Sequence, residues 1–403
     1  ICYLIIMNYS HKNISIGFEE LLASAKCREI EPPPHFFDIH PKKCSLEELR
    51  ELWKMEDVAS RGESSLSLYI HIPFCQSRCA FCMYDSHLAK DEDLQIYTER
   101  IIKEYNYWRE ELSRPLKSLY IGGGTPSILT VREIDKMFHH LNGLSFLPNS
   151  SRTFETSPQS LTVEKLNALA NTGVNRISIG VQSFDEVVMS KNKRPLSSKY
   201  DIDRLVSCTR KIGFEDVNVD LMVGLEGQNV KNIEEAVRNI VEINPLSVTI
   251  YTYRDVHRIY KKNIKEKKRE VEEQLMTLFH LFEKSGWRHM AGGLNTEYNV
   301  FYAPDMTKDL VRHPTSIDVF RNIHLVGLGT HAHGFTPAVA YTNQSSCLSF
   351  RPDSKDYLVY RHTKKQQQQI ATVMMLYCNN MQIDESRFES CFGVSFDEVF
   401  PLE

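Results

Sequence analysis

The run His71-Ile-Pro-Phe-Cys-Gln-Ser-Arg-Cys-Ala-Phe-Cys82 places Cys75, Cys79 and Cys82 in the spacing C-x₃-C-x₂-C. Three thiolates in such a loop can bind three irons of a [4Fe–4S] cube and leave the fourth iron open to an external ligand. A cluster that only carries electrons normally has four cysteine ligands, and a structural zinc site also has four ligands. The loop therefore predicts a cluster at which chemistry takes place.

Two other uses of these cysteines are open on spacing alone. Zinc could be bound by the same thiolates if His71 or His87 completed a tetrahedral set. Disulfides are disfavoured, because the chain has ten cysteines among 403 residues and no secretory segment. This usage predicts a reducing, cytoplasmic location.

Composition excludes several classes of function. The chain has 42% hydrophobic and 25% charged residues, which is typical of globular proteins. A formal charge of −4 does not indicate the positively charged surface that binds phosphates, so nucleic acid is not expected as the main partner. The apolar residues 1–6 are too few to span a bilayer. Because the chain does not begin with Met, we expect either a missing upstream piece or a natural start at Met7.

From Leu66 onwards, short apolar strands alternate with amphipathic helical stretches, which favours βα units and a parallel sheet. The predicted strands are Ser67–Ile72, Ser118–Ile121, Arg152–Glu155, Arg176–Val181, Val217–Val223 and Ser247–Tyr253, with a possible further strand near His289–Ala291. The predicted helices are Leu94–Leu112, Val131–Leu141, Thr162–Asn171, Lys199–Lys211, Asn232–Ile243 and Arg269–Lys284. Six βα units predict an open barrel, whose motifs meet at the carboxyl ends of its strands.

The segment Gly122-Gly-Gly-Thr-Pro126 follows the second predicted strand. Its glycines would let the backbone approach a ligand closely and leave N–H and C=O groups free to bind it. A tight turn between strand and helix explains the glycines about as well.

Polar side chains also mark the ends of later strands. Glu155 could accept hydrogen bonds from ribose hydroxyls or an amino group, or it could be an exposed loop carboxylate. Gln182 closes the fourth strand, and Arg194 follows it in the next loop. Asp220 lies inside an apolar strand, where a carboxylate is costly unless paired. We therefore expect Asp220 to face the barrel interior and to contact a ligand or Arg194.

Candidates for substrate selection lie further along the chain. Strand alternation places Tyr251 and Tyr253 on one face, next to Arg254, although packing against a helix would also explain them. His331 and His333 alternate in the glycine-rich stretch 325–334, predicted to be a strand and tight turn. They are interpreted as site-lining or solvent-facing residues rather than as haem or metal ligands.

The chain resembles the oxygen-independent coproporphyrinogen III oxidase family of the radical SAM superfamily, from about Leu66 to Val399. The cysteine spacing, with Phe81 before the last cysteine, matches the superfamily signature. The other matching segments are Tyr69–Cys75, Tyr120–Ser127, Asn175–Phe184, Asn218–Leu225 and Val326–His333.

This resemblance implies an α/β fold: a partial, three-quarter (βα)₆ TIM-like barrel with a smaller α+β C-terminal domain. We predict an N-terminal arm over residues 1–62, the barrel over 63–303 and the C-terminal domain over 304–403. Since the family's C-terminal domain normally continues further, a truncated end is expected.

The resemblance also implies cofactors and site residues. Cys75, Cys79 and Cys82 would bind a [4Fe–4S] cluster, and the open iron would bind S-adenosylmethionine (SAM). Tyr69 matches a tyrosine beside the site, and Tyr69 and Arg194 are the predicted catalytic residues. The residues that match SAM contacts are Gly123, Gly124, Thr125, Glu155, Gln182, Arg194 and Asp220.

Members of the family cleave SAM reductively to a 5′-deoxyadenosyl radical, and several bind a second SAM. We therefore predict a radical SAM oxidoreductase or transferase that abstracts hydrogen from a tetrapyrrole-like or other small substrate. Methyl transfer with a second SAM is one form of this activity. A reducing electron donor of the flavodoxin or ferredoxin type is the expected protein partner.

Two departures from the family keep alternatives open. Coproporphyrinogen dehydrogenases carry a further cysteine two positions after the triad, where this chain has Tyr84. Haem chaperones of the superfamily carry H-N-x-x-Y-W, and in the nearest match here, Tyr298–Ala303, only Asn299 and Tyr302 agree. A true coproporphyrinogen III dehydrogenase and a haem-binding chaperone are therefore the alternative functions.

Overall fold

The chain is represented by a computed structural model that describes residues 41–59, 65–82, 84, 86–253, 264–291, 298–307, 323–378 and 384–400. One sheet of thirteen strands runs through this part of the chain, beside a separate two-stranded pair, β3 and β4. The strands are β1 (Lys42–Cys44), β2 (Ser65–Ile72), β3 (Phe74–Cys75), β4 (His87–Leu88), β5 (Leu116–Gly123), β6 (Phe146–Thr156), β7 (Arg176–Gln182), β8 (Asp216–Val223), β9 (Ser247–Thr252), β10 (Arg288–Ala291), β11 (Tyr298–Tyr302), β12 (Ile323–Leu328), β13 (His333–Phe335), β14 (Val339–Asn343) and β15 (Tyr357–Arg361).

The middle of the sheet is parallel. Its seven parallel strands follow the order β12, β2, β5, β6, β7, β8 and β9. Antiparallel strands continue the sheet on both sides: β11 and β10 beyond β9, and β13, β14, β15 and β1 beyond β12. Along β2, Leu68 and Ile70 are fully buried in the apolar core. Alternation therefore turns Ser67, Tyr69 and His71 to the opposite face, the barrel interior.

Amphipathic helices cover the outer face of the parallel strands. Several of them begin at a side chain that accepts a hydrogen bond from the first turn, such as Thr130, Thr162, Ser198 and Asn229. The helices are α1 (Leu46–Ala59), α2 (Asp91–Trp108), α3 (Val131–His140), α4 (Val163–Asn171), α5 (Glu186–Lys191), α6 (Lys199–Ile212), α7 (Val230–Ile243), α8 (Ile264–Lys284), α9 (Lys364–Cys378), α10 (Glu385–Phe392) and α11 (Phe396–Val399). Within the described ranges, none of these helices is long and apolar enough to cross a membrane.

The predicted fold class is confirmed. All six predicted strands form and lie next to one another in the parallel part of the sheet, and the six predicted helices form between or after them. The possible strand near His289–Ala291 also forms, as the antiparallel edge strand β10. The short helix α5 was not predicted. It contains only six residues, too few to show a helical period.

The same sheet passes through all three predicted domains. From the predicted arm, β1 pairs with β15, and from the predicted C-terminal domain, β12 pairs in parallel with β2. The boundaries at residues 62 and 303 stay a prediction. Arg254 lies outside the described residues.

A buried polar cluster joins helix α2 to strands β14 and β15. The Glu104 carboxylate is fully buried and accepts hydrogen bonds from Asn343 Nδ2 at 2.9 Å, from Tyr357 Oη at 2.8 Å and from the Gly329 N–H at 3.0 Å. Arg100, also buried, lies 3.5 Å from the carboxylate. The cluster thus fixes the turn after β12 against the outer helix.

We expect Glu104→Ala to lower the free energy of unfolding by about 3 to 5 kcal/mol, because it leaves the Arg100 cation buried without its counter-ion. Chemical denaturation measures this loss. The control is Glu99→Ala on the same helix, where an exposed pair with Lys136 is lost and a much smaller loss of stability is expected, because exposed ion pairs contribute little. Equal losses in the two variants would contradict the role given to the buried cluster.

Candidate functional site

The cysteine loop follows β2, and the glycine loop follows the neighbouring strand β5. Backbone hydrogen bonds join them: Gly124 donates to the Ile72 carbonyl at 2.8 Å, and Thr125 donates to the Phe74 carbonyl at 2.8 Å. The Thr125 hydroxyl also lies 3.5 Å from Cys75 Sγ. The two motifs therefore form one structure at the carboxyl end of the sheet.

Close approach to the cysteine loop explains why residue 124 is glycine. A Cβ on Gly124 would lie 2.6 Å from the Phe74 carbonyl oxygen and 2.9 Å from Cys75 Sγ, shorter than any normal contact. Gly123 has a φ of 122°, which side chains rarely adopt. The expectation that the N–H groups of this loop are free is wrong: Gly124 and Thr125 bind the cysteine loop, and Gly123 donates to Glu155 at 3.2 Å.

Glu155 lies near the end of β6 and is half-buried, not an exposed loop carboxylate. It accepts hydrogen bonds from the Tyr120 hydroxyl and the Gly123 N–H. Burial raises the pKa of its carboxyl to about 7, and the nearby charge of Asp220 adds to this rise. Glu155 is therefore close to half-ionised near neutral pH and responds strongly to a cationic ligand.

This shift predicts how stability changes with pH. Because the folded-state pKa is raised from 4.5 to about 7, the folded protein binds the proton more tightly than the unfolded chain between these values. Stability should therefore fall as pH rises from 4.5 to 7, by up to about 3 kcal/mol, and change little from this group above that range. In Glu155→Gln this part of the pH dependence should disappear, as measured by denaturation of the cofactor-free protein at pH 5, 6, 7 and 8. Parallel pH profiles for the two proteins would contradict the assignment.

Asp220 lies in β8 and faces the barrel interior, as predicted. Its carboxylate accepts hydrogen bonds from Ser178 Oγ at 2.8 Å and Asn218 Nδ2 at 2.7 Å, and burial raises its pKa. These neighbours, rather than Arg194, are its direct partners. Arg194 instead donates to the Gly180 carbonyl and, at 3.3 Å, to Cys79 Sγ. Arg194 thus connects the loop after β7 to the cysteine loop.

Gln182, the last residue of β7, has an unusual backbone conformation and an unsatisfied side-chain oxygen. Its φ of 74° is left-handed, which is uncommon for a residue other than glycine. The amide oxygen Oε1 is buried and has no hydrogen-bond partner in the part of the chain that the structure describes. Buried polar atoms are normally satisfied, so an orphaned acceptor beside Arg194 and Gly180 fits a ligand that brings a donor, such as an amino or hydroxyl group.

Tyr69 and the histidines line the same end of the barrel. The Tyr69 hydroxyl lies 2.7 Å from His71 Nδ1, and its ring is 5.4 Å from the ring of His333. Burial lowers the pKa of His71 to about 3 and that of His333 to about 4, so both are neutral at pH 7. His331 lies 6.4 Å from His71, ring to ring. This placement agrees with the interpretation of His331 and His333 as site-lining residues.

Tyr251, a candidate for substrate contact, is partly exposed, whereas Asn299 and Tyr302 of the chaperone motif are buried. Tyr251 is partly exposed and its hydroxyl is close enough to Asp220 and Glu155 to interact electrostatically. Asn299 and Tyr302 are both buried in β11, and Asn299 Oδ1 lies 3.1 Å from His289 Nε2. Tyr251 therefore remains a candidate contact, whereas the two agreeing positions of the motif belong to the core.

The cysteines fit a cluster better than a single metal ion. Cys75, Cys79 and Cys82 are free thiols that interact electrostatically with one another, and burial raises the pKa of Cys82. Among the described residues, no set of three or more His, Cys, Asp and Glu side chains surrounds one metal ion. In a [4Fe–4S] cube each thiolate binds a different iron, so the sulfurs can lie apart from one another. In a zinc site every ligand atom lies within about 2.3 Å of the same ion, so the sulfurs must lie close together. The Tyr69 hydroxyl contacts His71 Nδ1, and His71 Nε2 is buried with no hydrogen-bond partner among the described residues.

Sequence reasoning did not find the partners of these residues. Tyr120, Ser178 and Asn218 hold the two carboxylates, and Arg176 pairs with Asp216 at 2.6 Å deeper in the barrel. In the sequence these partners are polar residues at alternate positions of buried strands. This pattern can be interpreted only when the face that points into the barrel is known.

Comparison with known proteins finds relatives that cover most of the chain. Residues 69–240 match the model of the radical SAM superfamily. The chain is 26% identical over 346 residues to the heme chaperone HemW of Bacillus subtilis, which covers 83% of this chain and 89% of that protein. It is 28% identical over 212 residues to the oxygen-independent coproporphyrinogen III oxidase of Escherichia coli, which covers 51% of this chain and 46% of that protein.

The fold is shared with a solved structure, that of coproporphyrinogen III oxidase (HemN) from Escherichia coli. The TM-score is 0.70 at 21% identity, and the match covers 94% of this chain and 88% of that one. A parallel barrel with this cysteine loop defines a class of protein that uses a cluster and SAM. Residues 69–240 form a radical SAM domain, and the chain is similar in sequence to HemW and in fold to HemN. Its cofactors are those of the superfamily, a [4Fe–4S] cluster and SAM.

Proposed function

We propose that the protein is a radical SAM enzyme that abstracts hydrogen from a tetrapyrrole-like or other small substrate. In this proposal Cys75, Cys79 and Cys82 bind the cluster. The observation that carries it is the convergence of the cysteine loop, the glycine loop and the orphaned Gln182 amide at one end of the barrel. When bound and reduced, the cluster would supply the one electron that reductive cleavage of SAM requires.

The protein's own contribution is positioning and charge. Thr125 and Arg194 contact the sulfurs of Cys75 and Cys79 and so orient the thiols. Glu155 and Asp220 face the interior as acceptors, and their negative charge would offset the positive charge of a sulfonium or amino group. Gln182 provides a further acceptor for the amino group or ribose of SAM.

The substrate side would be formed by neutral and aromatic groups. Tyr69 and His71 form a hydrogen-bonded pair, and the neutral His333 lies against Tyr69. Tyr251 would contact the substrate from the opposite strand. Tyr84, in place of a further cysteine, supports hydrogen abstraction or methyl transfer with a second SAM over porphyrinogen decarboxylation. A flavodoxin-type or ferredoxin-type protein in a reducing cytoplasm would supply the electron.

The test uses the full chain reconstituted anaerobically with iron and sulfide. Dithionite and SAM are added, and 5′-deoxyadenosine and S-adenosylhomocysteine are quantified by chromatography. Cluster-dependent 5′-deoxyadenosine would support the proposal, and S-adenosylhomocysteine in addition would identify the methyl-transfer form. A fully loaded cluster that yields neither product would refute it. Loss of carbon dioxide from coproporphyrinogen III in the same assay would identify the dehydrogenase.

A second candidate, a haem-binding chaperone, is favoured by one observation. The similarity to HemW extends over 83% of the chain, further than the match to the oxidase sequence. The burial of Asn299 and Tyr302 counts against it, because these positions are not available to haem without opening the sheet. Titration with haemin distinguishes the two functions: a Soret shift complete at one equivalent would favour the chaperone.

A further inference from the structure

The loop after β7 holds the cysteine loop at a point between two of its cysteines. The N–H of Ala80, which lies between Cys79 and Cys82, donates to the backbone carbonyl of Asn192 at 2.9 Å. This is a contact of the cysteine loop with an element more than a hundred residues later in the chain. The position of the Asn192 carbonyl therefore helps to set the position of the ligand-bearing loop.

The side chain of Asn192 fixes that carbonyl. Its Nδ2 donates to the Val188 carbonyl in α5 at 2.7 Å and to the Glu226 carbonyl, in the loop after β8, at 3.1 Å. Asn192 is 3% exposed, so water does not replace these bonds easily. The carboxamide thus joins the segment after β7 to the loop after β8, while the backbone carbonyl of the same residue binds the cysteine loop.

The backbone around Asn192 is itself constrained. Asn192 terminates α5, and Lys193 follows with a left-handed φ of 52°. The Arg194 N–H then donates to the Met189 carbonyl at 3.0 Å, which brings the Arg194 guanidinium to Cys79. Such strain in a residue other than glycine persists only where the surroundings enforce it.

We infer that Asn192 is a positioning residue for the cluster-binding loop: its carboxamide holds the segment 188–194 in the form that fixes Ala80 and presents Arg194 to Cys79. The inference rests on the proposed role of Cys75, Cys79 and Cys82 as cluster ligands. The hydrogen bonds of the Asn192 side chain go to the Val188 and Glu226 carbonyls rather than to a cysteine sulfur. Mutation of residues that support metal ligands without binding the metal typically lowers metal affinity or activity by about 10-fold to 100-fold.

The test compares Asn192→Leu with a matched control, Asn175→Leu. Asn175 is likewise buried, at 6% exposure, and its side chain bonds the Ser150 carbonyl and the Arg152 N–H, but at the amino end of the barrel. Both variants lose a buried carboxamide and should lose similar stability. Iron and sulfide per chain, the rate of iron release to a chelator, and the paramagnetic resonance spectrum of the reduced cluster are measured, each with and without SAM.

Asn192→Leu is expected to release iron about 10-fold faster than the control and to alter the cluster spectrum. Equal iron release from the two variants would overturn the inference while leaving the proposed function intact. A wild-type protein that takes up no cluster would overturn both. If Asn192→Leu does not fold, the smaller change Asn192→Ser is used, with hydrogen exchange at the Ala80 amide of the cluster-free protein as readout. Unchanged protection of Ala80 in that variant would also overturn the inference.

Discussion

Cys79→Ala is expected to reduce the formation of 5′-deoxyadenosine from SAM to the level seen without protein. With Cys79 absent, Cys75 and Cys82 provide only two of the three thiolates that a site-differentiated cube requires, and the Arg194 guanidinium loses its sulfur partner. Arg194 would keep its hydrogen bond to the Gly180 carbonyl but would no longer connect the loop after β7 to residue 79. The measurement is the anaerobic assay with dithionite, together with iron and sulfide analysis of the reconstituted protein.

Cys208→Ala provides the control, since Cys208 is a free thiol on α6 and not part of the cysteine loop. It should retain wild-type iron content and activity. Retention of a cluster of full occupancy and of cleavage activity by Cys79→Ala would show that the triad is not the ligand set. Loss in both variants would show only that reconstitution is sensitive to any thiol, and the cluster assignment would lose its support.

The sequence predicted the barrel well because its signals are local. Each parallel strand that was predicted is a short apolar run, and the six predicted helices show a helical period, with polar residues at their starts as at Thr130 and Asn229. The placement of β12 beside β2 had no such signal, because its own residues do not specify which edge of the sheet it joins. The same limit applies to β1, which pairs with β15 across more than 300 residues of sequence.

The residues of the candidate site were predicted, but the hydrogen bonds between them were not. Motif position identified Glu155, Gln182 and Asp220, since each lies on a strand of the barrel. It did not show that the glycine loop uses its N–H groups on the cysteine loop, or that Asp220 bonds Ser178 rather than Arg194. These choices depend on distances between strands that are far apart in sequence. Local pattern cannot supply such distances.

Gly124→Ala is expected to have the next largest effect, a loss of about 100-fold in the rate of 5′-deoxyadenosine formation. The added methyl group would lie 2.6 Å from the Phe74 carbonyl oxygen, so the backbone on one side must move. Either movement displaces Cys75, whose sulfur would be 2.9 Å from the same methyl group. Because φ at Gly124 is not in the left-handed region, the effect would come from the contact and not from backbone strain. Iron content, SAM affinity and product formation are measured on the reconstituted variant.

Gly143→Ala is the matched control, because a Cβ at Gly143 meets no atom of the described residues within 4 Å and its φ is also not left-handed. It should behave as the wild type in all three measurements. Normal cluster loading of Gly124→Ala with normal SAM cleavage would mean that the two loops separate without consequence, and their contact would then be incidental to the site. A variant that binds a full cluster but binds SAM more weakly would instead show that Gly124 acts through contact with SAM. The substitution thus separates the two roles that the position of Gly124 allows, support of Cys75 and contact with SAM.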